Sequence, residues 1–191
     1  MNELYIISND CWGAGVYNSL NMQFASPFVG NIIFHEHYIK LLQQFDYYMN
    51  RELSKIDYEE SYSKTVGFIN HEGVKYYKLG DIEVVFPHSE KHPLHFLNAD
   101  EDKWKRRRDR LLTIPKDKII AKIGDLSYEN KYFNLDKTEM FLREFYSIPN
   151  FKKISITYQK YDYPNNYLNK SKENPWEFGK KHKQYMDVYN L

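Results

Sequence analysis

The sequence predicts a three-layer α/β/α domain with a mixed, mainly parallel sheet and one inserted β-hairpin, extending over all 191 residues. The first observation behind this prediction is a nearly continuous apolar run at 4–8, which is typical of a strand buried on both faces of a parallel sheet. The second is that strand-like and helix-like segments alternate along most of the chain. The third is the length, which suffices for one buried core and is short for two.

The first half of the chain opens with the strand at 4–8, and a helix follows from the Gly-Ala-Gly sequence at 13–15. This helix ends before Ser26-Pro27, because the residue before a proline is disfavoured in the α region. Residues 29–34 are predicted as a second short strand. Residues 38–53 are predicted as an amphipathic helix, since their apolar side chains recur at helical spacing (Ile39, Leu42, Phe45 and Met49).

The middle of the chain is predicted to contain the inserted hairpin. Its strands are placed at 65–70 and 74–77, on either side of a Gly-containing connection at 71–73. Gly80-Asp81 then separates the hairpin from a further strand at 82–86. The remaining predicted elements are a helix at 100–112, a strand at 118–123, a helix at 136–146, a strand at 153–158, a loop at 162–175 and a helix at 176–189.

Composition excludes several classes of protein. A hydrophobic content of 42% with 28% charged residues is ordinary for a globular chain, and a net charge of +1 gives no overall attraction to nucleic acid. The single cysteine excludes an internal disulfide framework and a multi-thiolate zinc site. No run approaches the roughly 20 apolar residues of a membrane span, and the start lacks the pattern of a secretory signal. The protein is therefore expected in the cytoplasm, without a transmembrane segment and without a nucleic-acid partner; the sequence makes no prediction about oligomeric state.

The turn at 9–13 (Asn-Asp-Cys-Trp-Gly) joins the first strand to the first helix and is the first candidate site. Backbone N–H groups and the helix dipole at such a turn attract an anion, and a thiol there is expected to have its thiolate favoured. Cys11 is therefore a candidate nucleophile, and Asn9 with the N–H groups of Trp12 and Gly13 would stabilise an oxyanion. The alternative is that Cys11 is a small buried residue, that Trp12 fills the core and that the glycines serve the turn.

A second candidate site combines Asp81, Glu83 and His88. The two carboxylates have the same parity along a strand, so they are expected on one face, where Asp81 or Glu83 could orient His88 as a general base. The alternative is a solvated strand end with an ordinary surface histidine. The spacing of the chain's histidines does not match a zinc motif, so no metal site is expected.

A basic run at 103–110 is the sharpest charge feature of the sequence. Guanidinium groups such as those of Arg106 and Arg107 can clamp a phosphate by bidentate contacts, whether the phosphate belongs to coenzyme A, a nucleotide-sugar or an undecaprenyl-linked donor. The alternative is a solvated face whose cations pair with the acids at 100–102 and with Asp109.

The chain resembles an uncharacterised bacterial family that is found in exopolysaccharide and capsule biosynthesis loci. The specific part of the resemblance is the sequence Ile-Ser-Asn-Asp-Cys-Trp-Gly at 7–13. Further matching features follow in order: Val16-Tyr17, Ser26-Pro27-Phe28, Gly80-Asp81-Ile82-Glu83, Phe86, His88, Lys103-Trp104-Lys105-Arg106-Arg107, and Phe145 with Pro149. Two departures are Val85, where a polar residue or histidine is expected, and an apparent insertion at 90–98 that affects the placement of His92 and His95. The resemblance implies a three-layer α/β fold and a polysaccharide context, and it implies no particular reaction.

Together these features predict a transferase that acts on a sugar intermediate of surface-polysaccharide assembly. Acyl transfer is favoured, with Cys11 as nucleophile, His88 as base held by Asp81, and Arg106 and Arg107 holding the phosphates of the donor. An acyl-coenzyme A or a nucleotide-sugar would fit as donor; glycosyl transfer needs the same basic clamp and has no use for Cys11. The alternative is a non-catalytic carbohydrate-binding or assembly protein in which sugars or partners contact the tryptophans Trp12, Trp104 and Trp176.

Overall fold

A computed structural model describes residues 4–68, 72–87, 101–125, 135–170 and 174–181. The strands are, in chain order, β1 (Tyr5–Ser8), β2 (Leu53–Ile56), β3 (Lys75–Leu79), β4 (Ile82–Phe86), β5 (Ile119–Gly124), β6 (Lys152–Thr157) and β7 (Asn166–Leu168). The helices are α1 (Trp12–Ser19), α2 (His35–Gln43), α3 (Phe45–Met49), α4 (Tyr62–Thr65), α5 (Glu101–Leu112), α6 (Leu135–Ser147) and α7 (Pro175–Lys180).

Four of these strands form a parallel sheet in the order β1-β5-β6-β7. Tyr5 lies opposite Ile119, and Ile120 lies opposite Lys152. Every residue of β1 and β5 is buried, which is the physical reason for their continuous apolar sequences: helices cover both faces of a parallel sheet. The carboxyl ends of these strands therefore meet at one edge, where ligands of such sheets usually bind.

The other three strands form a separate antiparallel sheet in the order β2-β3-β4. A single β-bridge between Ile32 and Val85 joins this sheet to the segment that follows α1. The α/β class is therefore confirmed, with the parallel and the antiparallel strands in two sheets.

Helices lie on both faces of the parallel sheet. On one face Lys122 and Ile156 border a small space together with Trp12 of α1 and Phe178 of α7. On the other face Ile123 borders a space with residues of α2 and α6. Because neighbouring strand residues point to opposite faces, this arrangement gives three layers.

The contact between α1 and α7 is unusually close. A Cβ atom at Gly15 would overlap the carbonyl oxygen of Trp176, and one at Gly179 would overlap the carbonyl oxygen of Trp12. The two backbones touch at this crossing, so both positions require glycine.

Most elements around the parallel sheet agree with the sequence prediction. The strands predicted at 4–8, 118–123 and 153–158 and the helices predicted at 100–112 and 136–146 are present with small shifts of their ends. The final predicted helix is present as α7, and its continuation beyond Lys181 lies outside the described residues.

The predictions for the antiparallel part were less accurate. The helix predicted at 38–53 is interrupted at Gln44, whose φ of −120° and ψ of 42° are not helical, and its end belongs to β2 instead. Residues 29–34 contribute only the bridge at Ile32 rather than a strand. The hairpin turn is at Gly80-Asp81, where Gly80 has a φ of +66°, and not at 71–73.

The predicted loop at 162–175 contains a short strand, β7, that pairs with β6. No helix in the described part of the chain is long and apolar enough to span a membrane.

Candidate functional site

The carboxyl ends of β1 and β5 are held together by the Asn9 side chain. Its amide nitrogen donates to the carbonyl oxygen of Gly124 at 3.0 Å, and its amide oxygen accepts from the Gly124 N–H at 2.9 Å. Asn9 is fully buried. Both ends of the amide are therefore engaged in joining two strands, and the predicted contribution of Asn9 to an oxyanion site is not supported.

Asp10 and Lys122 form a buried ion pair at the same edge, and each side chain is 1% exposed. The second carboxylate oxygen of Asp10 accepts from the Ser8 hydroxyl and from the Trp12 N–H, each at 3.0 Å. Burial lowers the pKa of Lys122, and the charge of Asp10 opposes that shift. Because the Trp12 N–H already donates to Asp10, the prediction that this group stabilises an oxyanion is not supported either.

Asp125 follows β5 directly and is 6% exposed. Its Oδ2 accepts from the Tyr158 N–H at 2.7 Å, whereas its Oδ1 has no hydrogen-bond partner among the described residues. Burial raises the pKa of Asp125 from 3.8 to about 6, against the opposing effects of the Tyr158 N–H and the Lys122 charge. A buried carboxyl group with such a pKa is a recognised mark of a functional position.

The space beside these groups is small. Asp10, Lys122 and Asp125 border a cavity of about 10 Å³ that Phe178 helps to close, which is room for about one water molecule. On the opposite face of the sheet, the His35 Nε2 lies 3.0 Å from the Gly124 carbonyl oxygen and therefore donates to it. Burial lowers the pKa of His35. The carboxyl edge thus collects acid–base groups, and the spaces that the described residues border there are small.

Cys11 is a buried thiol rather than an exposed thiolate. It is 4% exposed, and burial, followed by the charge of Asp10, raises its pKa to about 12. A rise of this size from 9.0 corresponds to about 4 kcal/mol, whereas a helix N-terminus contributes about 0.3–1 kcal/mol. Burial therefore opposes the expected effect of the helix dipole and disfavours the thiolate, and the role of Cys11 as a nucleophile stays a prediction.

Gly13 serves the packing of α1 on the sheet. A Cβ atom at this position would lie 3.0 Å from Cγ2 of Ile6 in β1. The close approach that this glycine permits is to a strand, and the predicted role of the Gly13 N–H in ligand binding stays a prediction.

Asp81 and Glu83 do not share a site. Asp81 lies in the exposed turn between β3 and β4, where it pairs with Lys40 and accepts from the Tyr48 hydroxyl at 2.6 Å. Its hydrogen bond with Lys40 lowers the pKa of Asp81. Glu83 is buried and accepts hydrogen bonds from the backbone and hydroxyl groups that begin α4.

Neither carboxylate belongs to the parallel sheet, whose strand β1 leads to Cys11. Both carboxylates already accept hydrogen bonds from other groups. Asp81 and Glu83 therefore do not share the strand face on which either was expected to orient His88 as a base. His88, His92 and His95 lie outside the described residues, so the role of His88 stays a prediction.

A cleft of about 440 Å³ lies between α5 and the end of α1. We call it the basic cleft, and its lining consists of Tyr17, Asn18, Asn21, Met22, Gln23, Phe24, Lys103, Arg106, Arg107 and Arg110. Four of these residues are cationic and none is acidic. The guanidinium of Arg107 lies 5.4 Å from the centre of the Phe24 ring, while Arg106 and Arg110 form no ion pair with any residue in the described ranges.

The other cations of α5 face elsewhere. Arg108 donates to Asp109 and lies 5.5 Å from the centre of the Trp104 ring. The predicted phosphate ligands Arg106 and Arg107 thus line a common space, whereas the solvated-face alternative describes Arg108 better.

The basic cleft lies at the amino edge of the parallel sheet, opposite Cys11. Tyr17, near the end of α1, donates its hydroxyl hydrogen to the carbonyl oxygen of Leu4, just before β1. Cys11 lies at the other end of α1, about 9 Å away along the helix axis at 1.5 Å per residue. The structure therefore does not bring Cys11 together with Arg106 and Arg107.

Comparison with known proteins adds a family but no reaction. Residues 1–176 match a family model described as a domain of unknown function, DUF1919. The chain belongs to this family. One relative is an uncharacterised protein of Haemophilus influenzae, and the two sequences are 26% identical over 159 residues. The aligned region covers 78% of this chain and 69% of that protein.

Sequence reasoning missed three parts of these sites in this DUF1919 member. Lys122 is a charged residue inside the apolar run of β5, and Asp125 is an acid immediately after it; both are signals of a polar group at a sheet edge. The wall opposite α5, at 18–24, has no distinctive pattern. The three tryptophans were assigned to sugar stacking in the non-catalytic alternative, but Trp12, Trp104 and Trp176 are at most 9% exposed.

Proposed function

We propose that this DUF1919 protein is a transferase that holds a phosphate-activated sugar donor in the basic cleft. The observation that supports this proposal is a 440 Å³ space lined by four cationic side chains and no carboxylate. Its volume falls within the range of about 300–1,000 Å³ that small-molecule sites occupy. Arginine is suited to phosphate because its planar guanidinium donates two parallel hydrogen bonds.

Glycosyl transfer now fits better than acyl transfer. The acyl scheme needs Cys11 as a thiolate, but Cys11 is buried, and burial raises its pKa to about 12. In glycosyl transfer from a phosphate-activated sugar, the phosphate leaves as an anion. Fixed cations stabilise the charge that develops on it, and no thiol takes part.

The wall opposite α5 suits the uncharged part of such a donor. Asn18, Asn21 and Gln23 are exposed there and offer amide donors and acceptors to sugar hydroxyls. The resemblance of the N-terminal sequence to polysaccharide-locus proteins adds a context, and we extend the proposal to surface-polysaccharide assembly in the cytoplasm.

Calorimetric titration with UDP-glucose, followed by titration with other nucleotide-sugars, tests the proposal. We expect Arg106→Ala and Arg110→Ala each to weaken binding by roughly ten- to a hundredfold, because a hydrogen bond to a charged group contributes about 1.5–3 kcal/mol. The loss should shrink as salt rises, since screening weakens the wild-type interaction. The melting temperature should stay nearly constant, because both side chains are at the surface of the cleft.

Arg108→Ala is the matched control, because it removes a guanidinium from the same helix without touching the cleft lining. Binding by Arg108→Ala should equal wild type. No binding of any nucleotide-sugar, or equal losses in all three variants, would contradict the proposal.

A further inference from the structure

The four cations of the basic cleft form one line along α5. Lys103, Arg106, Arg107 and Arg110 are spaced i, i+3, i+4 and i+7, so they share one helix face. The first and the last are seven residues apart, which is about 10 Å along the helix axis. A line of this length presents more cationic groups than a single phosphate group can contact at once.

The line carries like charges at close spacing. Lys103 with Arg107, and Arg106 with Arg110, are i,i+4 pairs of equal sign, which destabilise a helix slightly. An anion with two phosphate groups can contact both pairs, whereas a single phosphate group reaches one of them. The geometry thus favours an extended anion over a compact one.

The described lining of the cleft offers no open aromatic face for a nucleobase. Phe24 is its half-buried aromatic ring, and the Arg107 guanidinium lies 5.4 Å from the ring centre, with the Tyr17 ring at 5.6 Å. Tyr17 itself is fully buried and uses its hydroxyl on β1. The other side chains of that wall are amides and Met22, which make no stacking platform.

Resting on the proposed function, we infer that the basic cleft recognises the diphosphate group of its ligand and does not read a nucleobase attached to it. A nucleoside diphosphate and a lipid diphosphate carry this same chemistry. The cleft therefore binds diphosphates of different nucleosides alike and prefers them to monophosphates.

Titration calorimetry at one ionic strength, without divalent cations, tests this inference. The probes are inorganic phosphate, pyrophosphate, UMP, UDP, ADP, GDP and water-soluble geranyl diphosphate. We expect pyrophosphate and the three nucleoside diphosphates to agree within about threefold, and to bind at least about tenfold more tightly than phosphate and UMP. Geranyl diphosphate in the same range would extend the site to lipid donors, and its exclusion would confine the site to nucleotide donors.

Variants at the two ends of the line provide the second readout. The double variant Lys103→Ala/Arg110→Ala should bring the ratio of pyrophosphate to phosphate affinity close to one, since it removes both ends of the line. The control variant Lys105→Ala/Arg108→Ala also removes two positive charges from α5, but from residues outside the cleft lining. It should keep the wild-type ratio of pyrophosphate to phosphate affinity.

Three results would overturn the inference. Equal affinity for phosphate and pyrophosphate would leave the proposed donor site standing but remove its diphosphate preference. One nucleoside diphosphate bound about tenfold more tightly than the other two would show that the base is read. Absence of binding by every probe would end both the inference and the proposed function.

Discussion

Asp125 combines burial with a carboxylate oxygen that accepts no hydrogen bond from the described residues. Burial raises its pKa from 3.8 to about 6, so the folded protein holds the proton at a pH where the unfolded chain releases it. Stability contributed by this group is therefore complete below about pH 4 and is lost as pH rises to about 6, by on the order of 3 kcal/mol. Asp125→Asn should remove this loss. In urea titrations, the difference between the free energy of unfolding of the variant and that of wild type should therefore increase from pH 4 to pH 7.

Asp81→Asn is the control for that experiment. The pKa of Asp81 is lowered by Lys40, so its carboxylate loses its small stabilising effect as pH falls, which is the opposite slope. A difference between Asp125→Asn and wild type that does not change with pH would mean that the buried carboxyl does not titrate in this range.

At the level of residues, the sequence predicted positions better than it predicted chemistry. Asn9, Trp12 and Gly13 do lie where the first strand meets the first helix, but each serves the fold. The state of Cys11 depends on how completely α1 and its neighbours bury it, and burial is a property of the packed structure that local spacing does not contain. Arg106 and Arg107 were predicted to hold the phosphates of a donor; both line the basic cleft, and their binding of phosphate stays a prediction.

Among the elements, the contact between α1 and α7 restricts the sequence most clearly, because it leaves no room for a side chain at Gly15. Gly15→Ala places a methyl group on the carbonyl oxygen of Trp176, which belongs to a backbone and cannot rotate away. Overpacking of this kind costs about 1–3 kcal/mol, although alanine in a helix is otherwise favoured over glycine by up to about 1 kcal/mol. We expect the urea midpoint of Gly15→Ala to fall clearly below that of wild type.

Gly13→Ala separates packing at this crossing from helix propensity. Its Cβ would lie 3.0 Å from Cγ2 of the buried Ile6, a tight contact that a shift of a few tenths of an ångström relieves. A smaller loss in Gly13→Ala than in Gly15→Ala is therefore expected, and an equal or higher midpoint in Gly15→Ala than in wild type would show that α7 does not hold this position.

The elements of the parallel sheet were predictable because their sequences satisfy burial on two faces and helical periodicity at once. β2 and β7 were not predicted, because each is four residues or fewer and is defined by its pairing partner rather than by its own composition. The hairpin was predicted around 71–73 for a similar reason, because Gly-containing connections occur both there and at Gly80-Asp81. The pairing of β3 with β2 and β4 places the hairpin turn at Gly80-Asp81.

For the whole molecule, a net charge of +1 conceals a strong local asymmetry. The basic cleft is at the amino edge of the parallel sheet, while Asp10, Lys122 and Asp125 are at its carboxyl edge. Sequence spacing identified the basic helix, but it did not reveal which end of the sheet that helix lines, because this depends on how the chain crosses the sheet.

The crossing of α1 and α7 also bears on where this chain can be shortened. The family match ends at residue 176, within the first turn of α7, yet Pro175 and Phe178 cover the cavity beside the buried Asp10–Lys122 pair. A chain that stops at residue 176 would lose Phe178 and the contact of Gly179 with α1, so it would admit water to this ion pair and release α1 from its helical neighbour. Amide hydrogen exchange should then be faster in 12–19 than in the 191-residue chain, while exchange in β6 stays slow. Unchanged exchange in 12–19 would show that the sheet alone holds α1. Faster exchange would show that a gene for expression should not end at the edge of the family match.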